Sequence, residues 1–310
     1  MESLKETDPK TIGPYDTVAR LGSGGMGIVY LAANGPDSVA LKVIRESLLE
    51  DRSQATRFAR EIETLKKINS PYVAKIINSG VTDGQAWYAT EFVNGPNLKS
   101  LVDAKGPLAG DDWVRLALGL LRGLSAIHDK GIIHRDIKPA NVIIAESGPK
   151  IIDFGIAQVT DATSVTSTGL VAGTPAWFSP EQIEGKVLTP ESDLFSAGSV
   201  LAFAATGKTP WGDENTMTKA SVYGILVSQP DLSGATPDQV RVIAPLLEKE
   251  PTKRNYGAEI AQRRRLSTLP SSSITASSSG RKALGSPINS IMDYLGFGTG
   301  YSGNREARRR

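Results

Sequence analysis

From His134 to Gly155 the chain reads HRDIKPANVIIAESGPKIIDFG. Within this mostly apolar stretch Asp136, Lys138, Asn141 and Asp153 stand at fixed offsets. Two carboxylates, an amine and a carboxamide resist burial unless each finds a partner. A short stretch that concentrates them therefore needs a chemical reason. A second cluster suggests the class of ligand. LGSGGMGIVY places Gly22, Gly24 and Gly27 in a G-x-G-x-x-G-x-V pattern, with Ser23, Gly25 and Met26 between them. Glycine lets backbone N–H groups come up against phosphate oxygens with no Cβ in the way. Alone, the pattern fits a tight hairpin equally well. Beyond it Lys42 stands in VALKV and Glu61 in FAREIETL. A carboxylate on a packed helix can hold such an ammonium toward a cleft, where it would meet phosphates. An isolated strand lysine would simply be solvated.

These groups need elements to position them. YDTVARLG, GIVYLAA and SVALKVI are short β-branched segments separated by Gly, Asn and Pro, and each is predicted to be a strand. Strands on both sides of the glycines exclude a dinucleotide fingerprint, which requires a helix after them. QATRFAREIETLKKI carries Phe58, Ile62, Leu65 and Ile68 at helical spacing. Two further strands are predicted in VAKIINSG and QAWYATEFV. Beyond Gly95 the pattern turns helical, most clearly in DDWVRLALGLLRGLSAIHDK and SDLFSAGSVLAFAATG. A β-rich part followed by an α-rich part predicts an α+β chain of two lobes with a ligand cleft between them.

HRDIKPAN followed by DFG resembles the catalytic and metal-binding loops of eukaryotic-type protein kinases. GSGGMGIV, VALK, SPE and SDLFSAG follow the same family's order and spacing. GTPAWFSPEQ and the helices rich in small residues resemble the bacterial Ser/Thr group. The likeness runs over residues 15–262 and implies a two-lobed protein kinase fold. The N-lobe (15–93) would be β-rich with one main helix, and the C-lobe (97–262) mainly α. Phosphoryl transfer needs positioning and electrostatic stabilisation around an anionic nucleotide, which would explain the clustered charges. By resemblance Asp136 would accept the substrate hydroxyl's proton and Lys138 would neutralise the transferring group. Asn141 and Asp153 would ligate Mg²⁺ (with Mn²⁺ the alternative), Lys42 with Glu61 would hold the ATP phosphates, and Thr174 would brace Asp136 and Lys138. Lys138 goes with Ser/Thr rather than tyrosine specificity. Adenine would lie between Leu21, Val29 and Ala40 above and Ile143 below. Its edge would meet the Glu91 carbonyl and the Val93 amide, with Thr90 as a small gatekeeper. Glu181 would pair with Arg254, and Asp193 would bond the catalytic-loop backbone. Asn255 departs from the family by standing where a proline is usual. A pseudokinase scaffold would lack an equivalent of Lys42, Asp136 or Asp153, and all three are present. A small-molecule phosphotransferase would generally lack the SPE segment.

Arg135 has no evident partner in the unmodified sequence, while DATSVTSTGLVAGT is rich in hydroxyls. A phosphate on Thr166 or Thr168 would pair with Arg135 and order that segment. Autophosphorylation between two molecules would place it there. Residues 1–14 read as a polar lead-in. From Arg263 to the end nine Lys/Arg face two acids, in a Ser-rich stretch too poor in apolar surface to fold. Within it Ile288, Ile291, Met292 and Leu295 fall on one helical stripe, a docking element for the kinase body, a partner or an anionic membrane surface. The net charge of +2 excludes nucleic-acid binding by overall charge, and the absence of cysteine excludes disulfides. No signal-peptide core and no membrane-length apolar run is present, so a cytoplasmic setting is expected. Related bacterial kinases often continue into a membrane span and a sensor domain, which this sequence does not contain.

Overall fold

The computed structural model describes residues 1–45, 52–155, 175–212 and 219–255. Six strands form one antiparallel sheet: β1 (Thr11–Ile12), β2 (Tyr15–Gly24), β3 (Gly27–Asn34), β4 (Asp37–Ile44), β5 (Ile76–Thr82) and β6 (Gln85–Glu91). Their spatial order is β1-β2-β3-β4-β6-β5. Alternation along β3, β4 and β6 sends Tyr30, Ala32, Val39, Leu41, Trp87 and Ala89 into one cluster with Ile12 and Tyr15. Trp87 meets Tyr15 edge-on at 5.8 Å and donates its indole N–H to Thr82 at 2.9 Å. The predicted helix is α1 (Arg52–Leu65). Phe58, Ile62, Leu65 and Ile68 are all buried, as their spacing predicts.

The lead-in differs from its polar reading. Ile12 is buried, β1 pairs with β2, and Glu2 bridges to Arg20, so residues 1–14 extend the sheet. The whole of Met1–Asn255 is one compact unit. A two-residue strand is too short to show periodicity, which is why sequence pattern does not reveal it.

The second lobe is built on α3 (Gly110–His128) and α5 (Pro190–Thr206), joined by α2 (Leu98–Lys105), α4 (Pro180–Ile183), α6 (Lys219–Val227) and α7 (Pro237–Ile243). α5 is buried on every side from Ser192 to Ala205, as an all-round apolar helix must be. Trp113 of α3 ties the pair by donating to the Leu201 carbonyl at 3.1 Å. A hairpin of β7 (Val142–Ala145) and β8 (Gly148–Ile151) packs on α3 and carries the candidate chemistry on the segments that flank its open end. Among the described residues no helix is long and apolar enough to cross a membrane.

Gly27 starts β3 with φ +151°, and a Cβ there would drive into the Val43 carbonyl oxygen. Gly27→Ala is accordingly expected to destabilise the protein by about 1–3 kcal/mol in chemical denaturation. Gly22→Ala, whose Cβ would meet nothing within 4 Å, should stay near the parent value.

Candidate active site

The segment between α3 and β7 is held by one carboxylate. Asp193, at the start of α5, accepts the backbone N–H of His134 at 2.7 Å and of Arg135 at 2.8 Å. His128 Nε2 lies 2.7 Å from it. Burial pushes the Asp193 carboxyl up, but the bonds from His128 and the loop backbone outweigh this and hold it below the usual carboxylate value. Asp193 stays ionised, and the loop is pinned from beneath. The pinning matters because Arg135 adopts φ +68°, an unusual conformation for a side chain of this size. Its carbonyl is fixed as well, accepting from Gln182 Nε2 at 2.9 Å.

Asp136 follows, only 9% exposed. Lys138 Nζ donates to both of its oxygens at 3.0 and 2.8 Å, and Asn141 Nδ2 donates to Oδ2 at 2.9 Å. The Asp136 amide donates to His134 Nδ1 at 3.3 Å, and His134 Nε2 lies 3.3 Å from the Ile152 carbonyl. That pattern makes Nε2 the protonated nitrogen. Burial lowers the His134 pKa, so a neutral ring links the two chain segments.

Beside Asn141, at the same open end of the hairpin, Asp153 is also left-handed, at φ +58°. Its Oδ1 takes an ion-pair bond from Lys42 and a hydrogen bond at 3.0 Å from the Tyr88 hydroxyl. The expected Lys42–Glu61 pair is not formed. Glu61 instead lies with Oε1 3.7 Å from Arg135 NH1, so in this structure Lys42 is served by Asp153 and Arg135 has a charged neighbour. The cause is packing. A nearly buried ammonium takes the carboxylate within reach, and the hairpin delivers Asp153 there. Glu61 is half buried, which raises its pKa, with the Arg135 cation acting in the opposite sense. At 3.7 Å the Arg135–Glu61 contact is electrostatic only, and Arg135 NH1 is buried without a hydrogen bond.

The expected adenine-pocket residues lie on neighbouring strands. Val29 stands opposite Lys42 and Ala40 opposite Thr90, whose hydroxyl is 3.5 Å from the Ala40 carbonyl. Leu21 sits at a register shift in β2, and Ile143 lies on β7. Glu91 closes β6, while Val93 follows it in the connection to the second lobe. Sequence reading missed the Glu91 side chain, which accepts from Lys150 Nζ at 2.6 Å and from the Lys75 amide at 3.2 Å. It missed Tyr88 too. Nothing local marks either residue, because each partner is remote in sequence. Among the glycines, a Cβ at Gly22, Gly24 or Gly25 would point into open space. Together with Ser23 and Met26 they leave a backbone edge that a phosphate chain can approach. Asp153 and the carboxamide oxygen of Asn141 offer the few oxygen ligands Mg²⁺ requires, the rest coming from phosphates and water. Thr166, Thr168 and Thr174 lie outside the described residues, as does the tail from 263 onward.

Behind this frame Glu181 and Arg254 form the expected pair, bidentate at 2.6 and 3.0 Å.

The sequence matches the family model described as "Protein kinase domain" over residues 15–264. It is 41% identical over 263 residues to the probable serine/threonine-protein kinase PkwA of Thermomonospora curvata, covering 84% of this chain and 35% of that protein. To the serine/threonine-protein kinase AfsK of Streptomyces coelicolor it is 39% identical, covering 84% and 32%. The chain thus spans about a third of the length of these relatives. A crystal structure of the Mycobacterium tuberculosis PknI kinase domain superposes with a TM-score of 0.61 at 25% identity, covering 83% of this chain and 96% of that one. With the family model spanning both lobes and every charged group of the cleft, the chain belongs to the protein kinase family.

Proposed function

We propose that the chain is an ATP-dependent Ser/Thr protein kinase that moves the γ-phosphoryl group of Mg-ATP to Ser and Thr hydroxyls of protein substrates. The observation that carries this reading is Asp136, a nearly buried carboxylate held by Lys138 and Asn141 beside the Lys42–Asp153 pair. Bound Mg²⁺ supplies charge neutralisation at the phosphate oxygens, with Asn141 and Asp153 as its protein ligands. The chain's own residues do the rest. Asp136 orients the acceptor hydroxyl and takes its proton as the new O–P bond forms. The bond to the bridging oxygen breaks, and its electron pair leaves with ADP. Lys138 offsets charge on the transferring group, and Leu21, Val29, Ala40, Thr90 and Ile143 enclose the adenine.

In this reading the observed pairing is a resting one. Lys42 exchanges Asp153 for the nucleotide phosphates, and Glu61 exchanges Arg135 for Lys42. A phosphate on Thr166 or Thr168, adding about −1.5 to −2 charges, replaces Glu61 at the buried Arg135 NH1. The donor is a second copy in a transient kinase dimer. Thr174 takes the bracing role toward Asp136 and Lys138 that the family resemblance implies.

The test is transfer of labelled phosphate from Mg-ATP to the protein itself and to a generic basic protein, followed by mass spectrometry. Incorporation into both, with Thr166 or Thr168 filled, is the expected result. Nucleotide binding without transfer to either acceptor would sink the enzyme reading in favour of a binding scaffold. Transfer that leaves both threonines empty would remove the switch.

A further inference from the structure

Asp8 lies outside the matched family region, yet its side chain is only 2% exposed. Its Oδ2 accepts from Arg20 Nε at 2.6 Å and from the Lys5 amide at 2.8 Å. A second Arg20 nitrogen bonds Oδ1, which also accepts the Tyr30 hydroxyl at 2.9 Å. Arg20 and Tyr30 are not arbitrary partners. They are directly opposed across β2 and β3, the last pair before the register shifts to Gly22 opposite Val29. That shift leaves Leu21 as the extra residue and begins the glycine-rich hairpin, which closes with Gly24 opposite Gly27. The backbone of Arg20 is gripped by the lead-in as well: the Glu2 amide donates to its carbonyl at 2.9 Å and the Glu2 carbonyl accepts from its amide at 2.8 Å. The lead-in therefore binds both strands at the root of the loop, through side chains and main chain together.

We infer that Asp8 is a positioning residue for the nucleotide site, clamping the Arg20–Tyr30 pair so that the bulge at Leu21 and the Gly22–Gly27 loop keep their register. This rests on the ATP reading above. A bulge is the place where a strand pair can slip most easily, and a slip of one residue would turn Leu21 and Val29 away from the adenine and re-aim the loop amides. Bidentate Arg–carboxylate geometry suits the task because it fixes orientation as well as distance.

The test compares Asp8→Asn, Asp8→Glu and Tyr30→Phe with the parent full chain, using hydrogen exchange and steady-state kinetics well below the melting temperature. Exchange over residues 21–29 should accelerate at least about tenfold in Asp8→Asn, with β5 and β6 unchanged, as loss of a charge-assisted contact predicts. The KM for Mg-ATP should rise about fivefold with kcat within about twofold, Asp8→Glu recovering part of the change. Tyr30→Phe, which removes one contact only, should give about a twofold effect and decides the matter if Asp8→Asn does not fold. Unchanged exchange at 21–29, or acceleration spread evenly over the sheet, would mean that Asp8 only stabilises the lobe. An unchanged KM in a parent that does transfer phosphate overturns the inference equally. A parent without transfer counts against the kinase reading instead, and the exchange pattern still tells whether the clamp exists.

Discussion

With Asp136 changed to asparagine, phosphate transfer from ATP is expected to fall about 10³-fold while Mg-ATP binding stays within about twofold of the parent. The asymmetry follows from where the carboxylate stands. Its oxygens accept from Lys138 and Asn141, and neither bond reaches toward the strands expected to hold the adenine. Asparagine keeps the shape and one acceptor oxygen but cannot take a proton from an incoming hydroxyl. A loss of 10³ corresponds to about 4 kcal/mol of transition-state stabilisation, the range for a general base acting with charge stabilisation. The measurement is a single-turnover rate beside calorimetric nucleotide binding, with a melting curve to show that the fold is kept. A variant that still transfers within tenfold of the parent would place the proton acceptor elsewhere.

The same site shows why some of it was legible in sequence and some was not. Asp136, Lys138, Asn141 and Asp153 flank the open end of one hairpin, so the pairing of its two strands turns their spacing along the chain into proximity in space. The strands and the two long helices were legible because alternation and helical periodicity follow from which face must be buried. Lys42 is different. Its partner is settled by how a helix and a remote hairpin pack around it, and the sequence reading gives it Glu61 alone, with Asp153 expected only as a metal ligand. The structure chooses Asp153, which leaves Glu61 to Arg135. Asp8 was invisible for a related reason. In a polar stretch it looks solvated, and only the fold brings Arg20 and Tyr30 to it from 12 and 22 residues away. Asp193 and the Glu181–Arg254 pair are as remote as these, yet family resemblance supplied them where local pattern could not.

Glu181→Ala is expected to lower stability by about 3–5 kcal/mol, a drop in melting temperature of roughly 10 °C for a domain this size. The loss comes less from the attraction removed than from the charge left behind. Arg254 is 4% exposed, and without Glu181 its guanidinium would keep, among the described residues, the carbonyls of Glu248, Glu191 and Lys249, at 2.6, 2.9 and 2.9 Å. Arg254→Ala should cost more, because those three carbonyls lose their donor and Phe195 loses the cation 4.9 Å above its ring. Glu181→Gln, which keeps the shape but not the charge, should fall between Glu181→Ala and the parent. Acid should act in the same direction. Burial works against the charged Glu181, but the bonds from Arg254 outweigh it and leave its folded pKa below the unfolded value. Its stabilisation is therefore complete above the unfolded carboxylate value and is lost as pH falls through the lower folded one. The damage should also reach the chemistry, because Gln182, next in sequence, holds the carbonyl of Arg135 in its left-handed conformation. Transfer activity and the thermal midpoint should then decline together across the three variants. A Glu181→Ala protein that melts within about 2 °C of the parent would show that solvent reaches Arg254 and that this pair does not support the catalytic loop.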